Sequence, residues 1–309
     1  MKIIAAAIQH SAEPLQVADN VGRADALLRQ AFEAGAELAV LPELFNTGYG
    51  LCPDYAPYAE GPDGPTLAYL RHRSRQWRMD IAAGFVEREG RHLYDSLVYV
   101  TADGQMHIYR KRNLVFWERF RFKPGRAPLI VPTRWGRIGF AICADMIYRK
   151  VWRDYRDRID LAVISAAWPE FADRETGKKH WLFGHVGPLS GAIPGKVALD
   201  LGIPVVFANQ CGRTQTMIPV IKQWISDRFA GFSSITDGLH GESAMAGTDE
   251  QVLLASLTVH SHRGPKSWRS MSPSARVVSS FGSERSGSEF SAVASTGAPV
   301  GGGLSTPPR

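Results

Sequence analysis

The stretch RIGFAIC, residues 137–143, runs into Ala144-Asp145, and DLAVIS follows at residues 160–165. Unbroken apolar runs of this length read as strands buried on both faces, because half-buried strands alternate and helices need more residues. VVFAN at 205–209 has the same character, and Ala192–Leu201 reads as the helix leading into it. Upstream, Met106–Tyr109, Asp95–Val100 and Asp80–Val86 read as strands, with a turn at Asp103-Gly104. Thr66–Arg78 reads as a helix, and ELAVL at 37–41 as a strand stopped by Pro42. Val17–Gly35 places Val21, Ala24, Leu27, Leu28 and Ala31 at helical spacing and ends on glycine. Lys2–Gln9 is the first strand, and Phe229–Thr236 with Gln251–Val259 are expected to close the domain as a strand pair. Strands alternating with helices predict a layered α/β domain over residues 1–260.

From residue 261 the composition turns to Ser, Gly, Pro and Ala, ending in Gly301-Gly302-Gly303 and Pro307-Pro308. Such a segment buries too little to offset its ordering entropy, so residues 261–309 are expected to be a disordered tail. It carries six basic residues against Glu284 and Glu289, which is +4 of the formal net charge of +6. The body is therefore nearly neutral and has no charge-patterned face for nucleic acid, so no nucleic-acid partner is expected.

Cys52, Cys143 and Cys211 are odd in number and widely spaced, which argues against a disulfide framework and for a reducing, cytoplasmic location. No closely paired cysteines or histidines suit zinc, and His180 and His185 are wrongly spaced for one helical face. No metal or organic cofactor is expected. The apolar start, Ile3 to Ile8, meets Gln9-His10 too soon for a signal peptide, and no run approaches a membrane span. No membrane partner is expected.

Three polar residues fall where strands end, a common position for reactive groups in layered α/β folds. Glu43 lies in LPELFNTGYG, Lys111 in YRKRNL, and Cys143 ends RIGFAIC. Singly, each has an ordinary reading: a cap acid, one charge in a solvated basic run, a small core residue. No G-x-S-x-G elbow or phosphate-loop Lys-Ser/Thr offers a rival chemistry.

Together, LPELFNTGY, YRKRNL with the following FWERFRFKPG, and ICAD resemble the Glu, Lys and Cys signatures of the nitrilase superfamily in order and approximate spacing. The resemblance runs from Met1 to about His260. It implies a four-layer α-β-β-α sandwich of the nitrilase type and a cysteine-dependent hydrolase of non-peptide C–N bonds. It casts Cys143 as nucleophile, Glu43 as proton shuttle and Lys111 as the cation facing the oxyanion, beside the backbone N–H of Ala144. A neighbouring cation and carboxylate supply the attacking thiolate. One carboxylate acting as base, acid and base again needs a pKa raised by burial. Glu118 aligns with a second glutamate of the family and is expected to orient Lys111 and water; its plain alternative is a surface pair with Arg119 or Arg121. Asp145 is expected to tie down the turn after Cys143 rather than touch substrate. Cys211, beyond Asn209, is expected in the core or at the rim.

Ala144-Asp145 after the nucleophile resembles the amidase and carbamoylase branch, where nitrilases usually carry Trp-Glu. NLVFWERFRFKPG resembles carbamoylases, though it is shorter, and MIYRKVWRDY departs from the Arg-aromatic-Pro-Glu of many members. A small amide, carbamoyl or nitrile substrate is thus expected, with Trp117, Tyr148 and Trp168 lining its pocket. Arg119, Arg121 and Arg149 are candidates for a substrate carboxylate. The alternatives are a nitrilase proper, or a non-hydrolytic, acyl-transferring or binding descendant. A homodimer or larger homo-oligomer is expected by resemblance, although the tail replaces the family's usual C-terminal arm.

Overall fold

Alternation within the strands sorts their side chains between two cores. On β1 (Lys2–Gln9), Ile3, Ala5 and Ala7 enter one cluster and Ala6 and Ile8 the other. The same division holds on β2 (Leu38–Val40) and β4 (His92–Val100), where Leu97 and Tyr99 face one way and Val98 and Val100 the other. The computed structural model describes residues 1–50, 54–115, 117–170, 189–218, 223–239 and 243–260. Cys52, His180, His185 and the proposed tail lie outside these residues.

Two six-stranded mixed sheets result. The first runs β14-β1-β2-β3-β4-β5, adding β3 (Asp80–Glu89), β5 (Met106–Arg110) and β14 (Gln251–Thr258). The second runs β13-β12-β9-β8-β7-β6, from β6 (Ile130–Thr133), β7 (Gly136–Ile142), β8 (Leu161–Ala166), β9 (Val205–Asn209), β12 (Ser234–Thr236) and β13 (Ser243–Met245). A separate hairpin pairs β10 (Arg213–Ile218) with β11 (Gln223–Arg228). The inner side joins Ala5, Val40, Ala82 and Tyr99 of the first sheet to Phe140, Ile142, Val163 and Val206 of the second. Helices α1 (Val17–Glu33) and α2 (Pro65–Trp77) bury Ala24, Leu28, Leu67 and Leu70 on the first sheet's outer side. Helices α3 (Arg149–Tyr155) and α4 (Leu189–Leu201) bring Trp152, Tyr155 and Val197 to the second. The layers are α-β-β-α, as the sequence resemblance implies.

The closing strand pair is the reading the structure overturns. β14 pairs antiparallel with β1, whereas β12 pairs with β9 in the other sheet. Gly231 and Phe232 take φ of 70° and 55°, so the chain cannot stay extended from Phe229, and only Ser234–Thr236 is strand. β12 and β14 thus add to different sheets, which satisfies backbone groups that a local pair would leave bare. The short elements β6, α3 and β13 and the β10–β11 hairpin were not legible in the sequence.

Strand ends converge at one place. The loop after β2 carries Glu43, the end of β5 leads to Lys111, and β7 runs directly into Cys143. Ser165 Oγ donates to Leu41 O at 2.9 Å and Gln210 Nε2 to Glu43 O at 2.7 Å, joining the two sheets there.

Candidate active site

Pro42 ends β2 by removing a backbone donor, and the chain turns through Glu43 and Leu44, the latter with φ 48°. This turn lies on β3 at Gly84, whose N–H donates to Pro42 O (3.2 Å) and whose carbonyl accepts from Phe45 N (3.0 Å). A Cβ on Gly84 would lie 2.5 Å from Glu43 Cα, so only glycine lets the loop come this close.

Lys111 is positioned by a hairpin. The β4–β5 register pairs Ser96 with Arg110, and the ladder continues with Lys111 N donating to Asp95 O at 2.9 Å. Gly125 N donates to Lys111 O at 2.7 Å and fixes the chain from its other side.

Cys143 leaves β7 with φ 46°, a left-handed conformation that costs a non-glycine residue about 1–3 kcal/mol unless its surroundings hold it. Asp145 is the clamp. Its carboxylate accepts from Ile142 N (3.2 Å), Asn113 N (2.8 Å), Asn113 Nδ2 (2.7 Å) and Tyr109 Oη (2.8 Å). The Cys143 turn is thereby tied to the chain just past Lys111, the backbone role anticipated for Asp145.

Glu43, Lys111, Glu118 and Cys143 are all buried. Lys111 Nζ donates to Glu43 Oε1 and to Glu118 Oε1, each at 2.6 Å, and lies 3.3 Å from Asp95 Oδ2. Glu43 Oε2 accepts from Ala167 N at 2.7 Å, and Glu118 Oε2 from Val115 N at 2.8 Å. Tyr49 Oη donates to Glu118 Oε1 (2.7 Å) and accepts from Trp117 Nε1 (2.7 Å). Glu118 is thus no surface partner of Arg119 or Arg121. A buried ammonium among three carboxyl groups is compensated by hydrogen bonds and charge together.

The electrostatics follow from burial. Desolvation pushes the Cys143 thiol well above its usual range; Glu43 pushes the same way, while Lys111 and the Ala167 N–H oppose. The resting group is therefore a thiol, rather than a thiolate formed in advance by the cation. Desolvation also lowers the Lys111 affinity for its proton, but the neighbouring carboxylates, Glu118 and Glu43 foremost, more than reverse this and hold it charged. Desolvation raises the Glu118 carboxyl, with Lys111 opposing. One oxygen from each of Glu43, Asp95 and Glu118 lies within 4.8 Å of the others, a spacing that would suit a metal ion. The lysine ammonium is already the cation among them.

The expected lining residues divide. Ala144 follows Cys143 and is buried, and Trp117 reaches the centre through Tyr49. Trp168 is buried in the inner cluster that holds Cys143, and its backbone N–H donates to Asn209 Oδ1 at 2.7 Å. Tyr148 is not brought to the centre. It is exposed and lines a cavity of about 380 Å³ with Arg112, Asn113, Leu114 and Arg119, whose described wall includes none of the four central residues. Arg119 and Arg121 face a second hollow of about 330 Å³ beside Arg88, Arg91 and Lys123. Cys211 is buried, and its thiol is pushed up to about 12 by desolvation, leaving it protonated at neutral pH. Asp95 and Tyr49 are the central residues that sequence reasoning missed. Their signals were an aspartate inside a buried strand and a tyrosine six residues past Glu43.

A family model described as carbon-nitrogen hydrolase matches residues 4–264. A nitrilase from Pyrococcus abyssi is 33% identical over 145 residues, covering 46% of this chain and 55% of that protein. A chloroplastic omega-amidase from Arabidopsis thaliana is 28% identical over 178 residues, covering 52% and 47%. The chain spans about half the length of these curated relatives. A solved CN-hydrolase superfamily structure from Xanthomonas campestris superposes with a TM-score of 0.67 at 22% identity, covering 83% of this chain and 90% of that one, a likeness of fold.

Proposed function

For a chain that belongs to the carbon-nitrogen hydrolase family, we propose hydrolysis of a small amide or N-carbamoyl substrate through a thioester on Cys143, with Glu43 and Lys111 completing a triad. The observation that carries this reading is the buried Glu43–Lys111–Glu118 hydrogen-bonded line beside a cysteine held at φ 46°. An amide carbon is a poor electrophile, so attack needs a thiolate and a charge facing the oxyanion.

Glu43 removes the Cys143 proton as sulfur bonds to the carbonyl carbon, since the resting group is a thiol. Lys111 Nζ stabilises the oxyanion, with the Ala144 N–H as second donor; one such donor is worth about 3–4 kcal/mol of barrier. Glu43 then gives its proton to the departing ammonia or amine as the C–N bond breaks, leaving the thioester. A water attacks next, its proton passing to Glu43, and the proton returns to sulfur as the acid leaves. Glu118, held by Tyr49 and Val115, keeps Lys111 in place through the cycle.

The test is intact-protein mass spectrometry of wild type and Cys143→Ala after exposure to primary amides, N-carbamoyl compounds and nitriles, with ammonia quantified. An acyl adduct on Cys143, and ammonia release that vanishes in the variant, is the expected result. The name of the Pyrococcus relative puts nitriles in the panel; a nitrile consumed to acid and ammonia while amides are untouched would replace the amidase reading. No adduct and no ammonia from folded protein would move the chain to a non-hydrolytic role.

A further inference from the structure

Lys111 is surrounded by three carboxyl groups and matches the charge of one of them. One oxygen from each of Glu43, Asp95 and Glu118 lies within 4.8 Å of the others, and all three residues are buried. Carboxyl groups crowded in a dry site cannot all ionise, so a proton resides among them.

Hydrogen bonding assigns it. Both oxygens of Glu43 accept N–H donors, from Lys111 and Ala167. Both oxygens of Glu118 are served as well, by Lys111, Tyr49 and Val115. Among the described residues, neither oxygen of Asp95 accepts a hydrogen bond, and Lys111 Nζ lies 3.3 Å away without hydrogen-bond geometry. A buried carboxylate with no donor is the costliest arrangement, whereas a neutral carboxyl brings its own donor.

We propose that Asp95 is a resident carboxylic acid that keeps its proton through the cycle and donates it towards Glu43, making it a positioning residue for the base. This rests on the reading of Glu43 as the base for Cys143. Desolvation and the neighbouring Glu43 charge both push the Asp95 carboxyl well above the usual aspartate range, against Lys111. The groups facing it are Glu43 from the loop after β2, Lys111 from the end of β5, and Glu118 from the turn at Glu118–Phe120. Cys143 acts on the shared lysine, and Tyr55 feels the Asp95 charge.

The charge balance gives the acid its purpose. With Asp95 neutral, Lys111 is positive, Glu43 and Glu118 are negative, and the centre carries one net negative charge. When Glu43 takes the thiol proton and the oxyanion forms, that net charge is unchanged. An ionised Asp95 would add a second negative charge beside the oxyanion and compete for the same ammonium.

Infrared spectra of the full-length wild type, Asp95→Asn and Glu118→Gln at neutral pH test this. The expected result is a protonated-carboxyl C=O band, shifted by deuterium exchange, that is present in wild type and Glu118→Gln and lost in Asp95→Asn. A band that survives Asp95→Asn, or a wild type without one, overturns the proposal. As a second readout, iodoacetamide alkylation of Cys143 should be at least about tenfold faster in Asp95→Asn, which keeps a donor, than in Asp95→Leu, which does not. Equal rates in the two folded variants would also overturn it. If Asp95→Leu does not fold, the infrared comparison decides alone. A folded wild type whose Cys143 resists iodoacetamide would instead refute the nucleophile reading, while the carboxyl band would still decide the protonation of Asp95.

Discussion

Single residues at the centre act through what they hold. Asp145 accepts hydrogen bonds from three backbone N–H groups, the Asn113 side chain and Tyr109, and each is left bare if the carboxylate goes. Asp145→Ala is expected to lower unfolding stability by about 3 kcal/mol in urea denaturation, because unsatisfied buried donors keep their full desolvation cost. Glu118→Gln keeps an acceptor for Tyr49 but weakens the hold on Lys111. Its turnover is expected to fall about a hundredfold with the unfolding temperature nearly unchanged, the signature of misplacement rather than misfolding. The raised Asp95 carboxyl also has a stability consequence. The folded state binds this proton more tightly than the unfolded chain, so its contribution is full at low pH and is lost as pH rises through the raised value. Calorimetry should show Asp95→Asn losing less unfolding temperature than wild type as pH rises from the ordinary aspartate range to neutral; parallel curves would refute the assignment.

At the scale of elements, the site depends on close approach between the loop after β2 and strand β3. Gly84→Ala puts a methyl group against the Glu43 backbone, and neither strand can retreat without breaking the Gly84 hydrogen bonds to Pro42 and Phe45. Overpacking of this kind costs about 1–3 kcal/mol, and here it also displaces Glu43. The expected outcome is a lower unfolding temperature together with reduced Cys143 alkylation; a variant that loses stability alone would show that the loop tolerates the shift. The β4–β5 hairpin makes a related point. Folding YDSLVYVTADGQMHIYRK about its Asp103-Gly104 turn sets Asp95 across from Lys111, as the observed ladder has it. That pairing was legible from turn position and alternation, yet Asp95 read only as the first residue of a strand.

For the whole molecule, the ends of the described domain are tied together. The Met1 ammonium donates to Val259 O at 2.5 Å, Val259 N donates to Met1 O at 2.7 Å, and β14 runs the full length of β1. Met1–Pro265 forms one compact unit. A chain ending at Pro265 is therefore predicted to unfold at the temperature of the full chain, as the expectation of a disordered tail requires. A chain ending before Gln251 exposes the β1 edge and should fail to fold cooperatively; scanning calorimetry of both truncations checks this. Among the described residues, no helix is long and apolar enough to cross a membrane.

Periodicity and punctuation are local, so the sequence alone determined most strands, both long outer helices and the strand ends that carry Glu43, Lys111 and Cys143. The three motifs around those residues determined the family as well. Tertiary structure decided what depends on partners distant in the chain. Whether β12 and β14 pair with each other is settled by which sheet edges stand open, and local propensity is silent on that. Glu118 is legible as a glutamate among aromatics, but its burial exists only once Tyr49, 69 residues earlier, donates to it. The resting thiol at Cys143 and the proton assigned to Asp95 belong to the same class. Both follow from how many charges share one dry volume, and a linear sequence does not contain that volume.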